Sequence, residues 1–324
     1  MRTAGLRALT LTASFLMSAA PAAAQDNYPN HTVRIIVASV AGGAPDVVAR
    51  LVGHYLSESL GQPVVIENRS GANGMIGGEV AAKAAPDGYT LLLGADSGIT
   101  INPHVYAKMT YDPIKDLVPI SAVATNQFIL AVNPKLPVKT LQEFIDYAKK
   151  ANPPLSFASA GVGSQHYFAM EQLKQRAGFN LLNVTFRSGS PAMQSTVAGD
   201  TQVFFAGGES AGQFEAGNLR PLAASGKARS KRYPDLPTIG ETYPGYAVDI
   251  WLGLFAPAGT PAPIVAKLQK ETQAVLARRD VAAKMNVSGS LEPLILSPTE
   301  FAARIRSDDE KYGKLAKELN LKIQ

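Results

Sequence analysis

The stretch VRIIVASVAGGAPDVVARLVGHYLSESLG, residues 33–61, decides the fold class of this chain. Its first six residues, 33–38, are mostly β-branched and end at turn residues, which predicts a buried strand. Residues 40–45 are small and form a turn. From Asp46 the apolar residues return at helical spacing until Gly61, which is typical of a helix C-cap. A strand, a glycine turn and a helix in this order predict a largely parallel α/β sheet.

The same order of elements recurs along the rest of the chain. Further strands are predicted at 64–66, 89–93, 128–132, 155–158, 184–186, 202–205, 219–224 and 251–255, and helices at 77–84, 141–151, 165–177, 263–278 and 298–319. No flexible linker separates the two halves, so two domains would have to share crossing strands, expected near 122–125 and 248–251. We therefore expect one domain to comprise 25–121 plus 249–324 and the other 122–248.

The composition excludes several classes of protein. The chain has 324 residues, 46% hydrophobic and 18% charged, which is too apolar for a disordered protein. It contains no cysteine, so disulfide scaffolds, zinc-thiolate sites, iron–sulfur clusters and cysteine nucleophiles are excluded. The net charge of +5 has no concentrated basic block, and no nucleic-acid partner is expected. The four histidines lack metal-ligand spacing, so we expect neither a metal nor a cofactor.

The first 24 residues have the layout of a secretory signal peptide. Arg2 and Arg7 form a basic region, residues 9–20 an apolar run, and residues 22–24 a small-residue cleavage site before Gln25. No later stretch approaches the ~20 apolar residues of a membrane span. We therefore expect cleavage near the bond between Ala24 and Gln25 and a periplasmic location.

Glycine-rich loops follow several predicted strands. They lie at 42–43, 71–74, 94–98, 161–164 and 188–191, and several lead directly into a predicted helix. Such junctions aim free backbone N–H groups and a helix dipole at one point, which suits a carboxylate or a phosphate. In open α/β sheets, ligands also gather at the carboxyl ends of the strands. The loops therefore predict anion binding.

Signatures of catalysis are weak. Residues 71–78 do not form a dinucleotide fingerprint, and a Walker lysine is missing. Ser164 and His166 are a candidate nucleophile and base, but a Gly-x-Ser-x-Gly elbow is absent and side chains two apart on a helix do not face each other. We expect that His166 caps or lines the cleft and that the chain is not an enzyme; an exported hydrolase is the least favoured alternative.

Six segments in order resemble one family. They are GGAPD at 42–46 after YP at 28–29, GQPVVIENR at 61–69 with GANG at 71–74, AAPDGYTL at 84–91, SAGVGSQH at 159–166, LPTIGE at 236–241 and WLGLFAP at 251–257. Together they resemble the tripartite tricarboxylate transporter receptors, also called Bug receptors, over essentially the whole mature chain.

The resemblance implies a two-domain Venus-flytrap fold, each domain a mixed, mostly parallel sheet flanked by helices, with a ligand cleft between the domains. It implies a monomer that captures a small organic carboxylate and presents it to membrane permease subunits; a ligand sensor for a membrane signalling partner is an alternative. Backbone amides and hydroxyls would hold the carboxylate. The ligand-binding residues implied are Val40, Ala41, Gly42, Gly43, Ala44, Asn73, Gly74, Met75, Ser97, Ser159, Gly161, Val162, Gly163, Ser164, His166, Arg187, Ser188 and Gly207.

Three departures from the family pattern bear on the ligand. The first loop reads Ser-Val-Ala at 39–41 where relatives are usually proline-rich, which allows a wider pocket wall. An acidic residue common in relatives near 206–208 is absent, which argues against an amino-acid ligand unless Glu209 substitutes. Arg187 is either a partner for a second carboxylate or a charge on the rim.

Overall fold

Two β-sheets organise the chain in a computed structural model that describes residues 27–289 and 291–322. The predicted signal peptide lies outside the described residues. In chain order the strands are β1 (Val33–Val37), β2 (Val64–Asn68), β3 (Thr90–Ala95), β4 (Leu117–Gln127), β5 (Ile129–Val132), β6 (Ser156–Ser159), β7 (Leu182–Thr185), β8 (Val203–Ala206), β9 (Arg220–Ala224), β10 (Asp249–Pro257) and β11 (Glu292–Pro293).

Helices connect these strands and flank both sheets. They are α1 (Ala44–Leu60), α2 (Met75–Ala82), α3 (Asn102–Val105), α4 (Leu141–Lys150), α5 (Gln165–Ala177), α6 (Gly189–Ala198), α7 (Ala211–Glu215), α8 (Ile239–Thr242), α9 (Ala262–Leu276), α10 (Arg279–Gly289) and α11 (Pro298–Glu318). A five-residue π-helical turn, Ser97–Ile101, precedes α3. No helix in the described part of the chain has the length and apolar character needed to cross a membrane.

Both sheets are mixed. The six-stranded sheet has the order β11-β4-β10-β3-β1-β2, and the five-stranded sheet the order β7-β6-β8-β5-β9. In the first sheet β10 and β11 run against the other strands, and in the second only β5 does so. The predicted α/β class with two mixed, mostly parallel sheets is confirmed.

The opening unit folds as its sequence predicts. Four of the five side chains of β1 are buried, and α1 begins at Ala44 with a proline in its first turn. The helix ends at Gly61, which adopts the left-handed conformation at φ 67°. Gly61 fits there because a residue without Cβ adopts this conformation at little steric cost.

Two crossing strands connect the sheets and differ from the prediction in length. β4 begins at Leu117, five residues before residue 122, where the first crossing strand is predicted to begin. It pairs antiparallel with β10 along its length. Gln127 and Asp249 face each other at one end of this pair. After Gln127 the chain passes directly into β5 of the five-stranded sheet. The sequence understates β4 because Pro119, close to its start, argues against a strand there.

Each sheet has its own apolar core. Buried side chains of β1, α1, β3, β10 and α9 form the first core, and those of β5, α4, α5, β8 and α8 take part in the second. A third cluster joins the two halves, because Ile101 and Val105 pack with Phe168 of α5 and with Tyr312 and Leu315 of α11. Contacts between the halves thus extend beyond the crossing strands.

Several short elements were not predicted. They are α3, α6, α7, α8, α10 and the two-residue β11. Most are too short to show a helical period, and α6 consists mainly of small residues. The predicted helix at 77–84 spans Met75–Ala82, and the predicted strand at 184–186 spans Leu182–Thr185.

Candidate ligand-binding site

A cavity of about 300 Å³ opens where the carboxyl ends of the parallel strands of both sheets meet. The loops after β1 and β3 line it from the six-stranded sheet, and the loops after β6, β7 and β8 line it from the five-stranded sheet. The crossing strands form a further wall. This is the edge at which open α/β sheets bind ligands.

Three helices begin at the cavity. The first residues of α1, α5 and α6 line it. Ser164 caps α5, since its hydroxyl accepts a hydrogen bond from the backbone N–H of Tyr167. The N-cap residues Gly43 of α1 and Ser188 of α6 provide no side-chain cap. Pro45 and Pro191 in these first turns have no backbone N–H. The N–H groups of Ala44, Gly189 and Ser190 remain available for an anion, and the helix dipoles favour negative charge there.

Asp46 holds the loop after β1 in shape. Its carboxylate accepts a hydrogen bond of 2.9 Å from the backbone N–H of Gly42, which has φ 78°. Arg50 lies one helical turn further on and pairs with the same carboxylate. Burial raises the pKa of Asp46, but hydrogen bonds from Arg50, Gly42 and Asn68 and the positive charge of Arg50 outweigh it and lower the pKa below its ordinary value. Asp46 is thus a fixed anion that anchors this loop.

Asn73 connects loops that belong to different sheets. Its side-chain N–H group donates to the Oδ1 atom of Asn102 at 2.8 Å and to the backbone carbonyl of Gly163 at 3.2 Å. Ser97, at the start of the π-helical turn, donates a hydrogen bond to the Oδ1 atom of Asn73. The loops after β2, β3 and β6 are therefore held together beside the cavity.

Asp96, Gln165 and Tyr312 form a second connection, here called the Asp96–Gln165–Tyr312 bridge. The Nε2 atom of Gln165 donates to Asp96 at 2.5 Å, and its Oε1 atom accepts from the Tyr312 hydroxyl at 3.1 Å. Burial raises the pKa of Asp96 to about 7, although the hydrogen bond from Gln165 lowers it in part. The bridge connects the loop after β3 with α5 and α11.

His166 lies between two aromatic rings. Its ring centroid is 4.6 Å from that of Phe128 and 5.1 Å from that of Phe204, with which it stacks. The Nε2 atom is sealed from solvent and has no hydrogen-bond partner among the described residues. Burial lowers the pKa of His166 to about 4, so the ring is neutral at pH 7.

The geometry of Ser164 does not match a nucleophile activated by His166. The Ser164 hydroxyl donates to the carbonyl of Gly161 at 2.7 Å and caps α5, and it has no hydrogen bond to His166. A nucleophile needs a base within hydrogen-bond reach.

In the described part of the chain, no group of three or more acidic or histidine side chains is placed to hold a metal ion.

A family model described as the tripartite tricarboxylate transporter family receptor matches residues 48–321. The chain belongs to this receptor family. BugT of Bordetella pertussis is 32% identical over 312 residues, which cover 94% of each chain. A UPF0065 protein of Bordetella bronchiseptica is 34% identical over 98% of this chain and 94% of its own.

Solved structures support the same family and fold. R. palustris Rpa4515 with adipate superposes with a TM-score of 0.85 at 31% identity, over 91% of this chain and all of that one. MatC from Rhodopseudomonas palustris with bound malate has a TM-score of 0.78 at 30% identity, over 89% and 99%. The periplasmic binding protein BugD has a TM-score of 0.81 at 31% identity, over 91% and 100%. The fold is that of substrate-binding receptors.

The structure brings many of the predicted site residues of this receptor together. Ten line the cavity of about 300 Å³: Val40, Gly42, Gly43, Ala44, Asn73, Ser97, Ser164, His166, Ser188 and Gly207. An adjoining cavity of about 280 Å³ shares several loop residues with the first and is also lined by Gly74 and Arg187. Arg187 is exposed, and among the described residues it has no hydrogen bond or ion pair.

The other predicted residues lie near the cavity without lining it. Gly161 and Val162 border a shallow outer depression together with Arg187. Ser159 bonds to Asn183, Gly163 accepts the hydrogen bond from Asn73, and Met75 packs against the aromatic cluster of Trp251. Ala41 is exposed at the tip of its turn.

One whole wall of the site is absent from the residues predicted from the sequence. This wall comes from the crossing strands and the residue before β11, and it consists of Ala124, Asn126, Phe128, Ile250, Leu252 and Leu291. The alternation at 124, 126 and 128 marks one face of a strand, so it could have been found. Nothing in the sequence around Leu291 indicates that it reaches the site.

Proposed function

We propose that this chain is a periplasmic receptor that captures a small organic carboxylate in the cavity between its sheets. It then presents the carboxylate to the membrane permease subunits of a tripartite tricarboxylate-type transporter. The observation that carries the proposal is the meeting of three helix N-termini at one cavity, two of them without a side-chain cap. The adipate and malate bound by two relatives agree with a carboxylate.

Neutral groups are sufficient to hold such a ligand. A carboxylate accepts about four hydrogen bonds, and charge-assisted hydrogen bonds are roughly twice as strong as neutral ones. The hydroxyls of Ser188 and Ser190 and the backbone N–H groups of Ala44, Gly189 and Ser190 belong to residues that line the cavity and can supply them. One carboxylate at these loops therefore needs no buried arginine.

We further propose the division that the sequence predicts: 25–121 plus 249–324 as one domain and 122–248 as the other, hinged at the crossing strands. Closure of the two halves would remove water from the carboxylate, and the ligand would favour the closed form by contacting both halves. Cleavage of a signal peptide near Gln25, a periplasmic location, a monomeric state and the absence of catalysis belong to the same proposal.

Ser188→Asp tests the binding site and leaves the helix intact. Aspartate is a good N-cap, so α6 should keep its stability, with a gain of up to about 1 kcal/mol. The new carboxylate would repel an anionic ligand, and we expect affinity to fall about 100-fold or more. The measurement is calorimetric titration with the best acid found in a thermal-shift screen of carboxylates.

Thr140→Asp is the matched control. Thr140 caps α4, is exposed and lies outside the cavity lining, so this variant adds the same charge at an N-cap remote from the site. We expect its affinity for the acid to equal that of the wild type. Equal affinities in Ser188→Asp and Thr140→Asp would contradict the proposed site.

A further inference from the structure

We propose that this receptor prefers monocarboxylates with an apolar body and discriminates against dicarboxylates of the same length. The inference rests on the proposed function and adds a ligand class to it. It concerns the end of the cavity opposite the glycine loops. Two relatives were solved with the dicarboxylates adipate and malate, so this preference would set the chain apart from them.

The crossing strands supply an apolar wall. In the register of β4 and β10, Leu252 faces Ala124 and Ile250 faces Asn126. Phe128 follows on the same side of the chain, and Leu291 completes the wall. Asn126 is the one polar side chain in this set. A hydrocarbon chain or ring placed here would be removed from water, which favours binding in proportion to the apolar surface that it buries.

The cavity offers no positive charge to a second carboxylate. Among the described residues that line it, none is lysine or arginine. Its two titratable side chains are Asp96 and His166. Asp96 carries no positive charge in either protonation state and already accepts hydrogen bonds from Gln165 and from the backbone N–H of Ser97. His166 is enclosed by Phe128 and Phe204. Since burial opposes protonation of the imidazole, His166 does not act as a cation at neutral pH.

Arg187 lies on the other side of the site. It lines the adjoining cavity of about 280 Å³. The two cavities share loop residues, among them Asn73, Ser97 and Ser188. None of the apolar wall residues of the crossing strands lines that cavity. Arg187 can therefore assist the carboxylate held by the loops, but it does not lie along the wall where a second carboxylate would end.

A dicarboxylate would thus place one charge against apolar side chains. Burial of a carboxylate without a cation or sufficient hydrogen bonds is strongly unfavourable. A monocarboxylate of the same length would place a methyl group or a ring edge there instead. The two acids differ only at this end, so their relative affinities report on the wall alone.

The experiment compares matched acids on the ligand-free mature chain by calorimetric titration. Hexanoate is paired with adipate and 4-methylbenzoate with terephthalate. We expect at least one monocarboxylate to bind, and to do so about tenfold or more tightly than its dicarboxylate partner. Dicarboxylates that bind as tightly as their partners would overturn the ligand class and leave the receptor proposal standing. If none of the four acids binds, the ligand class is also overturned; failure of every carboxylate in the wider screen would overturn the receptor proposal as well.

Asn126→Lys tests where the body of the ligand lies. Asn126 is half-buried on the wall and faces Ile250, so a lysine there supplies the missing cation. We expect the preference for hexanoate over adipate to fall about tenfold or more, while Asn126→Gln keeps the wild-type preference. An unchanged preference in a folded Asn126→Lys variant would overturn the placement. If the variant does not fold, the comparison of the four acids on the wild type still decides the ligand class.

Discussion

Burial shifts two side chains of the site toward their neutral forms. It raises the pKa of Asp96 to about 7 and lowers that of His166 to about 4, because both are removed from water in their charged states. Folded Asp96 binds more proton than the unfolded residue between about pH 4 and 7, so its contribution to stability is lost as the pH rises through 7. Folded His166 binds less proton between about pH 4 and 6.5, so its contribution is lost as the pH falls.

Asp96→Asn separates these opposing effects. The wild type loses up to about 1.4 kcal/mol of stability per pH unit between pH 4 and 7 through the ionisation of Asp96. The variant lacks this ionisation, so the difference in free energy of unfolding, variant minus wild type, should increase as the pH rises over that range. Urea unfolding at pH 5, 6, 7 and 8 measures the difference. His166→Gln should change in the opposite sense. Below pH 6.5, its stability should fall more steeply than that of the wild type as the pH rises, because the variant lacks the opposing effect of His166. Parallel pH profiles for Asp96→Asn and the wild type would refute this account.

At the scale of elements, α2 packs unusually close to the end of β1. A Cβ atom added to Gly77 would lie 2.8 Å from the Cα atom of Ala38 and 2.8 Å from the carbonyl oxygen of Arg69. Both contacts are with backbone, which cannot move aside as a flexible side chain can. Gly77 therefore sets the distance between α2 and the loop that follows β1, one wall of the cavity.

Gly77→Ala should force these elements apart. Overpacking of this kind costs about 1–3 kcal/mol, so we expect the free energy of unfolding to fall by that amount. Gly212→Ala is the control, since Gly212 lies in α7 with no atom within 4 Å of an added Cβ. That variant should gain about 0.5 kcal/mol from a less flexible unfolded chain. Similar shifts of the two variants in urea unfolding would contradict this interpretation.

The elements also show what the sequence could predict. The strand, glycine turn and helix of residues 33–61 were readable because period-2 and period-3.6 patterns adjoin a turn. The loops that line the cavity follow from the same logic, since parallel strands bring their carboxyl ends to one edge. The alternation at 124, 126 and 128 was readable as one face of a strand, but its pairing with Ile250 was not. That pairing depends on strand register, which hydrophobic patterns alone do not specify across the 124 residues from Asn126 to Ile250.

For the whole molecule, the connections between the sheets determine how the cavity opens. The Asp96–Gln165–Tyr312 bridge and the hydrogen bond from Asn73 to Gly163 both pass from one sheet's loops to the other's. The cluster of Phe168 and Tyr312 packs beside the bridge. Opening of the cavity at these loops requires that these hydrogen bonds break.

Gln165→Glu should weaken the closed arrangement in a pH-dependent way. At pH 8 Asp96 and the new carboxylate would both be ionised and repel, which favours an open form with a larger radius of gyration. At pH 5 a proton on Asp96 can restore a hydrogen bond between the two carboxyl groups. Small-angle X-ray scattering at both pH values measures the change.

Gln175→Glu controls for the added charge. Gln175 is exposed on the same helix, so its substitution should leave the radius of gyration equal to that of the wild type at both pH values. A Gln165→Glu variant with the wild-type radius at pH 8 would show that the bridge does not hold the two halves together.

The register of β4 and β10 also indicates where the chain can be divided for deletion variants and chimeras. The chain leaves the six-stranded sheet at Gln127 and returns at Asp249, and these two residues are direct cross-strand partners. Their ends are close enough for a two-residue hairpin turn to join them. Excision of the intervening 121 residues at that point would leave an unbroken antiparallel hairpin. Residues 128–248, which contain the five-stranded sheet, are thus an insertion between two paired strands. The positions after Gln127 and before Asp249 are suitable junctions for chimeras between related receptors.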